Sequence, residues 1–333
     1  MENRSFYHSF PRGRPGEDSQ KALKRALSVL EAIKRVGLIL APEVVEWRIP
    51  LADETTKHVK YRQTRICFTE LSRLELSNHG KKFGPISLEF SIETLRELGA
   101  LPAIYMPQMV GDDRHLSSAG PMLVWMFEMI RYTLDQLEQL SKLSDPQYAL
   151  EFGRQQFPGA THVSENYTIN LQNHNEDKVV DQQFEVEART VRGILNYLAY
   201  KNAPFGLMRG AIHAAQSLFY PTDDHLHDEL LSYYRQREWR VIPGFATGGI
   251  EQARRLESSE KEMLLKIDGQ FWSKVLSDDK GVFQRIDEAY VIDKFNGKPI
   301  ESLIRAVLVP PDILDPASAL FEGRVSTIIE QSV

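Results

Sequence analysis

Two periodicities divide this chain. Alternation of period two marks extended segments near both ends. In 65–71 it puts Ile66, Phe68 and Glu70 on one face and Cys67, Thr69 and Leu71 on the other. In 5–10 it separates Tyr7 from Phe6, His8 and Phe10, and in 238–242 it separates Glu238, Arg240 and Ile242 from Trp239 and Val241. Helical spacing governs the rest. Leu23, Leu27, Leu30 and Ile33 line one stripe, with Ser19 as N-cap and Gly37 as the C′ glycine. Met122, Trp125, Met129, Thr133, Leu137 and Leu140 line another. Helices are also predicted over 185–201, 205–219 and 223–236, and a short one follows Ser91 as its cap. The segment 37–51 reads as short extended pieces broken by prolines, and the Asn-, Gln- and Asp-rich 145–185 reads as loop.

The strands 5–10, 66–70, 86–90, 103–106, 238–242 and 304–309 are therefore expected in one sheet system. The expected class is α+β: a mixed sheet built from N- and C-terminal strands, with an inserted helical layer. A single domain over 1–333 is expected, with 111–236 a mainly helical insertion.

Composition narrows the function classes. At 42% hydrophobic and 26% charged, the 333 residues suit a globular chain with a substantial core. A net charge of −6 disfavours a nucleic-acid partner, which calls for a basic surface. Cys67 is the sole cysteine, so no internal disulfide can form. The opening MENRSFYHSF has no apolar core of a secretory signal, and the run 121–127 is stopped by Glu128 far short of a bilayer's width. The expectation is a cytoplasmic protein with no membrane partner.

Phosphate-binding glycine loops, serine-nucleophile elbows, paired zinc histidines and calcium loops are all absent. His225 and His227 stand among Asp223, Asp224, Asp228 and Glu229, but residues two apart do not share a helix face. An acidic helix start is the better reading there, and no metal is predicted. Cys67, with no neighbouring histidine or basic cluster in sequence, reads as a small buried hydrophobe. Three segments remain: YHSF at 7–10, CFTEL at 67–71 and REWR at 237–240. Glu238 and Arg240 have a plain account as an ion pair at a sheet edge, with Trp239 in the core.

The residues Cys67 to Glu70, His79, Phe83-Gly84, Ile86 to Phe90, Gly99, Pro102 to Tyr105 and Glu238 to Arg240 resemble the AbiGi-type abortive phage-infection proteins. The opening YHSF, polar turn, helix and Gly37-Leu38 pair resemble the start of DarT-like ADP-ribosyltransferases. Signature strands carrying histidine, then a hydroxyl or aromatic residue, then glutamate are the layout of that wider fold. The resemblance implies an anti-phage defence protein, an ADP-ribosyltransferase-like effector that cleaves NAD, working with a protein partner from the same defence system. The alternative is a non-catalytic antitoxin-like or nucleotide-sensing component. A third reading is a metal-dependent or nuclease-like enzyme at 223–229.

Breaking the nicotinamide–ribose bond passes through an oxocarbenium-like transition state, which a carboxylate facing the developing charge stabilises. On this reading Glu238 is that carboxylate, His8 holds a ribose, and Thr69 braces Glu238. Tyr7 or Phe68 stacks on nicotinamide, and Arg62 or Arg240 pairs with the pyrophosphate. Gln236 stands two before Glu238, where transferases acting on protein side chains often carry Gln or Glu.

Overall fold

The computed structural model describes residues 5–50, 55–107, 119–142, 145–156, 159, 166–173, 180–187, 189–190, 193, 204–222, 237–243 and 253–328. In chain order these form β1 (Ser5–Phe10), α1 (Ser19–Val36), β2 (Leu38–Pro50), β3 (Thr56–Leu71), α2 (Leu76–Phe83), β4 (Ile86–Phe90) and α3 (Ile92–Glu97). Then come β5 (Leu101–Pro102), β6 (Ile104–Pro107), α4 (Ala119–Lys142), α5 (Pro146–Gln156), β7 (Asn166–Asn173), β8 (Val180–Glu187), α6 (Pro204–Leu218) and β9 (Phe219–Thr222). The last third holds β10 (Glu238–Val241), β11 (Arg254–Arg255), α7 (Ser258–Trp272), β12 (Val275–Asp278), β13 (Gly281–Gln284), β14 (Tyr290–Ile292), β15 (Lys294–Phe295), β16 (Lys298–Pro299), β17 (Ala306–Val309), α8 (Leu314–Leu320) and β18 (Val325–Thr327).

Two compact units result. One joins Met1–Trp125 to Ala214–Val333, and the other is Met126–His213. The first holds a ten-stranded sheet in the order β11-β14-β2-β3-β1-β4-β17-β18, with β10 beside β3 and β5 beside β10. Every pairing is antiparallel except β17–β18, so the sheet is mixed and the class α+β. Strand β3 organises it. Its first half pairs with β2, and its last residues pair with β1 and β10.

One face of the sheet is the main core. Phe6, Phe10, Ile66, Phe68, Ile86, Leu88, Phe90, Val307 and Val309 point there, against Ala26, Leu30 and Ile33 of α1, Leu95 of α3 and Ala317 of α8. The apolar stripe of α1 is thus the one the sequence predicts. Its cap is Asp18 rather than Ser19, because the Asp18 carboxylate accepts from the Gln20 and Lys21 amides. Gly37 ends the helix with its N–H bonded to the Ile33 carbonyl. On the opposite face, Tyr7, Leu71, Ala306 and Leu308 pack against Leu76 of α2. Gly84 fixes the end of α2 beside β1: its φ is 130°, and a Cβ there would collide with the Phe10 carbonyl.

Several expectations need correction. Residues 38–50 form one strand, not broken pieces, because β14 pairs only Leu38–Leu40 and Pro42 sits past that ladder. Within 103–106, the backbone meets β10 at Ala103, whose amide bonds the Glu238 carbonyl at 2.8 Å. Past that point β10 has ended, Arg237 has left the extended region at φ 43°, and β6 pairs in parallel with β9 as a separate ribbon. The strand expected over 304–309 begins at Ala306.

In the segment 145–185, residues Pro146–Gln156 are helical, and β7 and β8 form an antiparallel hairpin in the second unit. Residues 185–187 belong to that hairpin rather than to a helix. The helix expected over 205–219 is α6, and its last residue already belongs to β9. The helix expected over 223–236 lies outside the described residues, as does most of 188–201. No helix among the described residues is long and apolar enough to cross a membrane.

Candidate functional site

Register turns the separate alternations into one surface. Across β10, β3, β1 and β4 the pairs Glu238↔Thr69, Thr69↔Tyr7 and Tyr7↔Glu89 run in a single transverse row. Successive side chains on a strand point to opposite faces, so these four share the face away from the main core. One step along the strands, Arg240 pairs with Cys67 and Ser9 with Ser87, whose hydroxyls lie 2.8 Å apart. A polar strip therefore crosses a sheet whose other face is aromatic and aliphatic.

Glu238 is the centre of this strip. Its Oε1 accepts from Arg240 Nε at 2.7 Å, and its Oε2 accepts from the Tyr105 hydroxyl. Burial would raise its pKa, but the Arg240 charge and the hydrogen bonds from Tyr105, Cys67 and Arg240 overcome that and bring it down to about 2. The carboxylate is ionised at any physiological pH. Burial and the same carboxylate push the Tyr105 hydroxyl well above the ordinary phenol range. They also push the half-buried Cys67 thiol up to about 12, so no thiolate nucleophile forms there.

Arg240 is 1% exposed and bridges to α6, where Nη1 donates to the Ser217 carbonyl at 2.8 Å. Its guanidinium stands 5.2 Å from the Tyr220 ring centre, and that of Arg65 stands 5.4 Å from the same ring. Arg65 in turn donates to Glu43 at 2.6 Å and to Gln63 at 2.5 Å, while Gln63 donates to the Gln216 and Phe219 carbonyls at 3.1 and 3.0 Å. The result is a network of two buried arginines, two carboxylates and two tyrosines on strands β2, β3, β6, β9 and β10.

The structure thus brings together Glu238, Arg240, Thr69 and Tyr7 and sets His8, Phe68 and Arg62 apart from them. His8 is on the core face. Its ring stacks on Phe10 and tilts against Phe68, with centroids 5.4 and 5.8 Å away. Its Nδ1 donates to the Cys67 carbonyl at 2.9 Å, just past the point where the β1–β3 ladder stops at Tyr7↔Thr69. Burial lowers its pKa to about 4, the Cys67 carbonyl opposing, so the ring is neutral.

Phe68 is fully buried in the same core and packs edge-on against Phe90, so it is no stacking platform for a ligand beside Glu238. Both corrections have one cause: neighbouring residues on a strand face opposite ways. Arg62 lies in the other half of β3, bonded to Glu288 at 2.9 Å and 3.8 Å from Asp278, and cannot serve a pyrophosphate beside Glu238. Gln236 lies outside the described residues, as does the 223–229 cluster.

Tyr105, Tyr220 and Arg65 are additions that the sequence reading did not single out. Arg65 could have been found, since it shares the period-two face of Cys67 and Thr69. The two tyrosines come from a ribbon distant in sequence and carry no local signal. His79, on α2, stacks on Phe83 with ring centroids 4.4 Å apart, and burial, with His8 and Arg12, lowers its pKa to about 4 while Glu238 pulls the other way. Among the described residues no group of three His, Cys, Asp or Glu side chains is placed to hold a metal ion. Comparison of the chain with protein-family models, with curated proteins and with solved structures finds no match.

Proposed function

We propose that the chain is an anti-phage defence effector of AbiGi type that uses NAD in an ADP-ribosyltransferase-like manner, with Glu238 as the carboxylate that meets the developing ribosyl cation. The observation that supports this reading is the row Glu238–Thr69–Tyr7 on three adjacent strands. It puts an ionised carboxylate, a hydroxyl and an aromatic ring on one face, the residue types that oxocarbenium chemistry uses. A protein partner from the same defence system belongs to this proposal, as does an acceptor of a class that the site does not specify.

The second reading, a non-catalytic nucleotide-binding component, draws on a different observation. Both Glu238 oxygens already accept protein hydrogen bonds, and His8 faces the core instead of the strip. One measurement separates the two. Purified protein is incubated with NAD, and free nicotinamide is followed over time. Turnover that falls roughly 10²–10³-fold in Glu238→Gln, with cooperative folding retained, supports the effector. No turnover by the wild-type chain sinks it and leaves the binding reading.

A further inference from the structure

Glu238 is covered by a tyrosine that its own sheet does not carry. Tyr105 is 7% exposed and donates to Glu238 Oε2, while Arg240 Nε occupies Oε1. Only 14% of the carboxylate side chain stays exposed. A reacting group that is to meet Glu238 squarely must displace one of these two donors.

The two donors are held differently. Arg240 belongs to β10 inside the ten-stranded sheet, and its Nη1 is committed to the Ser217 carbonyl at 2.8 Å. Tyr105 belongs to β6, which leaves that sheet just past Ala103 and pairs with β9 as a two-stranded ribbon. Such a ribbon is marginal by itself. Its β9 side is anchored: Gln63 donates to the Phe219 carbonyl at 3.0 Å, and the Arg65 and Arg240 guanidiniums flank the Tyr220 ring at 5.4 and 5.2 Å. Its β6 side is the outer one. Ile104, one step from Tyr105 and turned the opposite way, is 41% exposed. Pro102 and Pro107 bracket β6, and neither has an amide to donate. Lifting Tyr105 from Glu238 therefore leaves the ladders of β3 with β1 and β10 intact.

We propose that Tyr105 is an autoinhibitory gate on Glu238: closed, it caps the carboxylate, and open, with β6 moved outward, it frees Oε2 for the reacting centre. The proposal rests on the reading of Glu238 as the reacting carboxylate, and it accounts for both oxygens being occupied in a chain of that function. The exposed remainder of Glu238 gives the closed chain a basal turnover. A partner that prefers the open position of β6 raises turnover by that preference.

The test compares the full wild-type chain with Tyr105→Phe and Tyr105→Ala by two readouts. One is nicotinamide release from NAD, and the other is iodoacetamide labelling of native Cys67. Cys67 pairs with Arg240 across β3 and β10 and hydrogen-bonds Glu238, so it lies under the same cover. Tyr105→Phe keeps the ring and drops the hydroxyl. Losing a bond to a charged acceptor moves the closed-to-open balance roughly tenfold, so both readouts should rise by about that factor. Tyr105→Ala should raise them at least as much. Leu264→Ala is the control for general loosening, because Leu264 is 1% exposed in the separate core under α7. Its nicotinamide release should match wild type, and its labelling should stay well below that of Tyr105→Phe. Unchanged or reduced release in Tyr105→Phe, with wild type turning over, would overturn the gate, since Tyr105 would then be a support for the carboxylate. Labelling of Tyr105→Phe no faster than that of Leu264→Ala would overturn it as well. No release by any of these proteins removes the catalytic reading, and the cover over Glu238 then stands or falls on the labelling rates alone.

Discussion

Glu238 and Arg240, two residues apart on β10, form a buried ion pair at 2.7 Å whose arginine is 1% exposed and whose glutamate side chain is 14% exposed. This is not an exposed edge pair, so the small energies typical of surface pairs do not apply. Removing the charge of one partner in a buried pair costs about 3–5 kcal/mol, because the other charge stays buried. Glu238→Gln and Arg240→Ala should therefore both be markedly less stable in urea unfolding. The double variant should lose less than the sum, with a coupling of about 1–3 kcal/mol. Additive losses would mean that the two side chains do not depend on each other.

Tyr105 holds the second oxygen of the same carboxylate. Tyr105→Phe deletes one hydrogen bond to a charged acceptor, at a cost of about 1.5–3 kcal/mol. Its signature is in pH dependence. Glu238 has a folded pKa of about 2 against an ordinary 4.5, so its stabilisation is present above 4.5 and is lost as pH falls toward 2. Without the Tyr105 bond the folded pKa should rise, narrowing that acid window. Unfolding free energies measured from pH 2 to 6 on both proteins test this. An identical acid limb in both would show that the Tyr105 bond does not tune Glu238.

Much of this sheet can be read from alternation alone. It correctly places Cys67, Thr69 and Leu71 on one side of β3 and Phe68 on the other, and correctly sets His8 apart from Tyr7. What alternation cannot supply is register. Only pairing shows that Tyr7, Thr69 and Glu238 share a row, or that His8 and Phe68 turn to the core together. The β7–β8 hairpin was legible in principle: Tyr167, Ile169 and Leu171 alternate, and Ile169 pairs with Phe184. Its dense Asn and Gln content masked that pattern. Tyr105 and Tyr220 reach the site through a parallel pairing between distant segments, which local periodicity does not encode.

His8 and His79 are both held neutral by burial, each at about 4. In the unfolded chain they titrate near 6.5. Between pH 6.5 and 4 the unfolded state binds more protons, so stability must fall as the solution is acidified across that window and level off below it. His8→Phe keeps the ring packing against Phe10 and Phe68 but removes one titrating group. Its stability curve should be flatter between pH 6.5 and 4, at the cost of the Cys67 carbonyl bond at every pH. A slope over this window unchanged from wild type would show that His8 is protonated in the folded state.

Cys67 offers a chemical readout of the same network. Its thiol is pushed up to about 12, first by burial and then by the Glu238 charge, with Arg65 and Arg240 only partly offsetting them. The thiolate is the reactive form, and raising the pKa from the ordinary 9 cuts its population at pH 8 by roughly a thousandfold. Iodoacetamide should therefore label native Cys67 far more slowly than the urea-unfolded chain, in which it behaves as a free thiol. Glu238→Gln removes the carboxylate that opposes ionisation and leaves both arginines in place, so the thiol pKa should drop and labelling should accelerate while the chain stays folded. Arg240→Ala should act in the opposite electrostatic direction and slow it. If labelling instead follows only the loss of stability, rising equally in both variants, then access rather than charge controls this cysteine, and the electrostatic coupling of Cys67 to Glu238 is wrong.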